Sequence, residues 1–337
     1  MPSEKNPALL PTGDEWLRAT GFRLGLRLRY SLTGHDSPVQ AVATAVIDGR
    51  PVAVTGGHDG TVRLWDLTAR QQIGAPLTGH TKRVRAVATS VIDSRPVAVT
   101  GGHDGTVRLW DLTARQQIGD PLTGHTGGVE AVTTALIDGR PRVLTAGADG
   151  TARLWDLTTG RQIGEPLTVD YGELWAVAAV VVDGRPVAVT GGADGTVRLW
   201  DLTTGRQIGE PLTGHPDEVG QVAAVVVDGR PHVVTGDEDG TVLVWDLTTG
   251  RQIGGPLTGH DGGVGAVAAV LIDGRPVAVT GGHDGTVRLW DLTSGQQIGE
   301  PFTDHHGAVF ALAVVIDGNP QVVTGSIDGT VRLWDLT

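Results

Sequence analysis

Cysteine is absent from the 337 residues, which excludes disulfides and thiol chemistry and leaves the redox compartment open. Lysine occurs only as Lys5 and Lys82, and 26 basic against 38 acidic side chains give a net charge of −12. A nucleic-acid footprint needs a basic face, so no nucleic-acid partner is expected. Aromatics are scarce at 4%, and tryptophan supplies nine of them against two tyrosines and three phenylalanines. Long apolar runs are also missing. Stretches such as Ala176 to Val182 are far too short to cross a bilayer. Residues 1–12 hold no apolar core of signal-peptide length. A cytoplasmic location with no membrane partner is the expectation.

What is present is a repeat. The stretch Gly56 to Thr68, GGHDGTVRLWDLT, recurs along the chain, with tryptophans at 65, 110, 155, 200, 245, 290 and 334. Their spacing is 45 five times and then 44. A fixed period of that size defines a repeat architecture. Residues 51–74 and 96–119 are identical, which points to recent duplication. The repeat also explains the acidity. Each copy places three aspartates in turn positions, as with Asp48, Asp59 and Asp66, so 21 of the 38 acids are scaffold chemistry.

Within one period the pattern reads as four short antiparallel strands. Val39 to Ile47 is almost continuously apolar, as a strand covered on both faces would be. Asp48-Gly49 turns it into Pro51 to Thr55, where proline is tolerated as a first strand residue. Asp59-Gly60 reads as a type I′ turn with both central residues at positive φ. Thr61 to Leu67 follows, rich in β-branched and aromatic residues. Gln72 to Leu77 is weaker and more polar, which suits an outer edge. One such sheet cannot bury both faces alone, but copies stacked in a ring can.

Leu-Thr-Gly-His followed by Trp-Asp at this period resembles the WD-repeat β-propeller family, over roughly residues 31–337. The resemblance implies an all-β, seven-bladed propeller with four strands per blade. It also implies a buried Trp–Thr–His–Asp hydrogen-bond chain in each blade. Carried over, the sets are His35, Thr55, Asp59 and Trp65; His80, Thr100, Asp104 and Trp110; His125, Thr145, Asp149 and Trp155. They continue with His215, Thr235, Asp239 and Trp245; His260, Thr280, Asp284 and Trp290; and His305, Thr324, Asp328 and Trp334. The fourth copy has Thr190, Asp194 and Trp200 but Asp170 in place of histidine.

The seventh Trp-Asp strand ends the chain, leaving that blade without an outer strand. Leu24, Leu26 and Leu28 alternate with Arg23, Arg27 and Arg29 as in a strand. Leu28 to Leu32 aligns with Ile73 to Leu77, so the N-terminus is expected to close the ring. The expected organisation is a loose arm over residues 1–20, where Trp16 is the one candidate for docking, and a single propeller domain over 21–337.

Catalytic and metal readings find little purchase. A His–Thr–Asp relay would need seven copies of one active site with buried hydroxyls. Pairs such as His58-Asp59 sit on turns and form no ligand face by themselves. Gly56-Gly57 lacks the helix and lysine of a phosphate loop. Asp170 beside Asp194 reads as a rearranged loop before a carboxylate pair. No enzyme activity, cofactor or metal is expected.

The copies disagree in one place. After Leu-Thr-Gly-His they read DSPVQAV, TKRVRAV, TGGVEAV, YGELWAV, PDEVGQV, DGGVGAV and HGAVFAL. The resemblance puts these positions around the channel mouth of the disc. Lys82, Arg83 and Arg85 stand in the second copy, and Glu130, Glu173, Asp217, Glu218 and Glu238 in the third to fifth. Tyr171 joins them, while Trp175 and Phe310 occupy a position held elsewhere by Gln40, Arg85, Glu130, Gly220 or Gly265. The expected function is a monomeric protein–protein interaction scaffold that binds a protein partner on this face. The alternative is a ligand-binding or enzymatic propeller with its site at the channel. A third possibility is that the two aromatics only plug the mouth.

Overall fold

The structure, a computed structural model, describes residues 25–317 and 319–336, so the expected arm at 1–20 lies outside the described residues. Seven four-stranded antiparallel sheets form seven blades. The first runs from an inner strand Val39–Ile47 through Arg50–Gly57 and Val62–Asp66 to a short outer strand Gln71–Gln72. The other blades repeat this order, with outer strands as long as Gln116–Thr123.

The two hairpin turns of a blade differ in kind. Asp48 and Gly49 have φ of 50° and 74°, the double positive φ of a type I′ turn. At Asp59-Gly60 only the glycine is positive, at 76°, and Gly60 N–H bonds the Gly57 carbonyl. The type I′ reading of this second turn is therefore corrected. The side chain of Asp59 explains the difference, because its carboxylate accepts from the N–H and the hydroxyl of Thr61 at 2.9 and 2.8 Å. That Asx-type arrangement closes a longer loop, with a left-handed residue only at its end.

The expected closure is present. Leu26–Thr33 pairs antiparallel with Thr330–Leu336 and supplies the outer strand of the seventh blade. Tyr30 then fastens this blade to the first: its hydroxyl donates to the Leu67 carbonyl, and Arg70 lies 5.0 Å over its ring. Burial pushes the Tyr30 phenol up to about 12, so it stays a donor.

The core lies between blades. Val52, Val54 and Leu64 of the first blade pack against Ala98, Trp110 and Leu112 of the second. Val323 and Leu333 of the seventh pack against Ala53 and Trp65 of the first. Each neighbouring pair has such a cluster, so no blade buries its tryptophan alone. Gly56 permits the approach, since a Cβ there would meet Val84 Cγ1 of the next blade at 2.5 Å.

Buried polar chains hold the blades internally. Trp65 Nε1–H donates to Thr55 Oγ1 at 2.8 Å, and Thr55 faces His35 Nε2 at 2.8 Å. His35 Nδ1 then meets Asp59 at 3.1 Å. One tautomer satisfies all three contacts: Thr O–H donates to Nε2, and Nδ1–H donates to the carboxylate. The fifth blade corrects the expectation. His215 Nδ1 meets Asp237 at 2.8 Å, not Asp239, which is exposed. Asp237 stands where the first blade has Gly57 and reaches the histidine from the strand end. The fourth blade keeps Trp200 to Thr190 at 2.9 Å, but Asp170 is exposed and Asp194 pairs with Arg198 at 2.7 Å. Val169 and Leu174 are buried beside this gap in place of a histidine ring.

Candidate partner-binding site

Every inner strand carries a β-bulge near its start. The register slips between Val39 and Ala41, and equally between Val84 and Ala86, Val129 and Ala131, and in the other four blades. The extra residues are Gln40, Arg85, Glu130, Trp175, Gly220, Gly265 and Phe310. A bulge leaves its extra residue outside the ladder and re-aims its side chain. All seven line a central cavity of about 520 Å³. This is why the copies are free to differ here: the position makes no demand on the sheet.

The ring divides into two unlike halves. Across the first three blades Arg85 donates through its Nε to Glu130 Oε2 at 2.7 Å and through a terminal nitrogen to Gln40 Oε1 at 2.7 Å. His103 Nδ1 meets Glu130 Oε1 at 3.2 Å, and Arg83 lies 3.4 Å from the same nitrogen. Glu130 is only 5% exposed, so its charge is spent inside the ring. Burial lowers the His103 pKa, and Arg83 adds to the effect while Glu130 opposes it.

The other half is open at Gly220, whereas at Gly265 the Phe310 and His283 rings already lie 3.2 and 3.3 Å from where a Cβ would stand. Gly220 and Gly265 contribute no side chain between Trp175 and Phe310. Both aromatics are half-buried, and Phe310 packs edge-on against His283 at 5.3 Å. The Trp175 indole N–H is buried and has no hydrogen-bond partner. Glu218 and Glu238 stand at the edge of this slot, with Glu238 3.8 Å from His283. Of the remaining expected site residues, Lys82 and Tyr171 are exposed and Glu173 is half-buried, none of them lining the cavity. Tyr171 is 84% exposed. Gln221 lines the cavity without having been singled out from the sequence, and His283 lines it as one of the residues that precede a turn aspartate.

Among the described residues no group of three or more His, Asp or Glu side chains is placed to hold a metal. No helix among them is long and apolar enough to cross a membrane.

Comparison with known families accounts for this architecture. The family model described as WD domain, G-beta repeat matches seven times, over residues 26–66, 71–111, 116–156, 164–201, 205–246, 251–291 and 295–335. The chain belongs to the WD-repeat family. Propellers of this family generally mediate protein–protein interaction. No curated protein matches the chain.

Proposed function

We propose that this propeller is a non-enzymatic interaction scaffold whose protein partner seats a projecting side chain in the open half of the channel mouth. The observation that carries the reading is the asymmetry of the bulge ring. One half is filled by a closed Gln40–Arg85–Glu130 network, while the other leaves a gap between two aromatic walls. Trp175 and Phe310 offer apolar faces, and aromatic anchors dominate interface hot spots. Glu218 and Glu238 favour a guest with a cationic end. Arg83, Lys82, Tyr171 and Glu173 form the rim that orients the partner, with Arg85 and Glu130 as its preformed support. A cytoplasmic location goes with this reading.

Gly220 supplies the test. A Cβ built there meets only the flexible end of Glu238, at 3.3 Å, so a larger side chain fits without moving backbone. Gly220→Trp should plug the slot and leave the melting temperature near wild type. In affinity capture from the native host, partners retained by wild type should be lost by Gly220→Trp. Retention of the same partners by the plugged variant would sink the reading.

A further inference from the structure

The opposite mouth of the channel is bordered by aliphatic side chains that point into solvent. Val46, Val91, Leu136, Val181, Val226 and Leu271 occupy one equivalent position, two residues before the inner-hairpin aspartate. They are 41 to 71% exposed. They make up six of the ten large exposed apolar side chains among the described residues. Neighbouring blades touch at this level, with Thr89 Oγ1 donating to the Thr44 carbonyl and Thr134 Oγ1 to the Thr89 carbonyl, both at 2.7 Å. Val46 and Val91 share a groove with Pro96. Exposed apolar side chains gathered at one mouth in this way are of the kind that marks an interaction surface.

Around it stands a second ring, made by the turns themselves. Asp48, Asp93, Asp138, Asp183, Asp228 and Asp273 are exposed. Two residues after each comes an arginine: Arg50, Arg95, Arg140, Arg185, Arg230 and Arg275. Each of these inner turns thus brings one acid and one base, although the chain carries a net charge of −12. Arg50 lies 3.8 Å from its own Asp66 with 72% of its side chain exposed, so it can reach outward, whereas Arg275 is half-buried.

From these two rings we infer that the face is an isologous interface with a second copy of this chain, the propellers packing bottom to bottom around the aliphatic ring. A two-fold interface requires a self-complementary surface. An apolar centre inside a rim of equal acid and base meets that requirement, because each copy brings an arginine for the other's aspartate. The size fits as well. Six turns with four residues each give about 24 residues, against roughly 20–30 a side in a stable interface. An acidic partner would meet the aspartates and a basic one the arginines, so neither finds a matched surface. The inference departs from the monomer expected from the sequence, and it stands apart from the partner proposed at the other mouth.

Sedimentation velocity on the full chain tests it. A dimer should appear from low to high micromolar concentration. Val91→Glu combined with Leu136→Glu should raise its dissociation constant at least about tenfold. Both residues face solvent, so the melt of the dilute variant should match dilute wild type. Arg140→Asp should weaken the dimer through the rim alone, while Gly220→Trp should leave it unchanged. A monomer at every concentration overturns the inference. So does a dimer indifferent to the paired glutamates, or a monomer that dimerises only once residues 1–20 are removed.

Discussion

The imidazole of each intact blade is the residue on which most local structure depends. Burial holds the pKa values of His35, His80, His125, His215, His260 and His305 below the ordinary histidine value, their aspartates opposing it only in part. For His305, where Arg332 adds repulsion to burial, the value falls to about 4. The unfolded chain therefore binds more protons than the folded one between about pH 6.5 and those lowered values. Stability is full above pH 6.5 and falls as the medium is acidified towards pH 4. The carboxylates act in a lower window. Burial alone would raise the pKa of Asp104, but hydrogen bonds from Thr81 and Thr106 and the charge of His80 keep it below its ordinary value. Melting temperatures between pH 7.5 and 4.5 should decline progressively, and a flat profile would mean the histidines are not buried neutral. The fifth blade gives a sharper contrast. Asp237→Ala leaves His215 without its acceptor and should cost about 1–3 kcal/mol in a denaturant melt. Asp239→Ala removes an exposed carboxylate that does not touch the histidine, and should cost under about 0.5 kcal/mol. Equal effects would restore the arrangement read from the motif.

At the scale of the strand, closure carries the most risk. Leu26 and Leu28 pack in the cluster between the sixth and seventh blades, while Tyr30 and Leu32 pack between the seventh and the first. Deleting residues 1–30 removes the apolar half of that strand and bares the edge of Thr330–Leu336. The truncated protein should aggregate or lose several kcal/mol. A wild-type melt would show that the ring does not depend on this strand. The sequence made this element legible because counting strands from the Trp-Asp motifs left one missing and one spare. Strand order and inter-blade stacking were legible for the same reason, each being repeated, and so was the place of the inner turn, though its type I′ geometry was read into the other hairpin instead. What was not legible sits where a single copy departs from the rest. Asp237 replaces Asp239 because a carboxylate at the glycine position reaches the same imidazole, which no spacing rule shows. In the fourth blade Leu174 takes the space of the absent histidine ring, its Cδ2 lying 3.2 Å from where a Gly192 Cβ would stand, which the motif count does not show. The bulge escaped because Val39-Gln40-Ala41 is, as a string, an ordinary piece of strand. Val46 reads as one more residue of an apolar run, and only the register exposes it at the lower mouth.

For the whole molecule, the consequence of the ring is that seven independent substitutions meet at one place. Trp175 and Phe310 are three blades apart, with Gly220 and Gly265 between them on one side and the paired Gln40, Arg85 and Glu130 on the other. The structure changes the electrostatics expected from the sequence. Arg85 and Glu130 neutralise each other, so on the proposed face the charge left for a partner comes from exposed Lys82 and half-buried Arg83 against half-buried Glu218 and exposed Glu238. Such rim charges act chiefly on orientation and on-rate, while apolar anchors set the lifetime of the complex. Trp175→Ala and Phe310→Ala should therefore each weaken partner binding by about 2 kcal/mol, through faster dissociation, with the fold intact. Arg83→Glu should mainly slow association and alter its salt dependence. Surface-binding kinetics at two ionic strengths separate the two effects, and a thermal melt provides the control. Because Phe310 also packs against His283, its truncation is the more exposed to a structural explanation, and Trp175→Phe serves beside it as the conservative variant. Two aromatic truncations that bind normally but melt early would identify these rings as a plug of the channel, and the open half of the mouth would then lose its role in recognition.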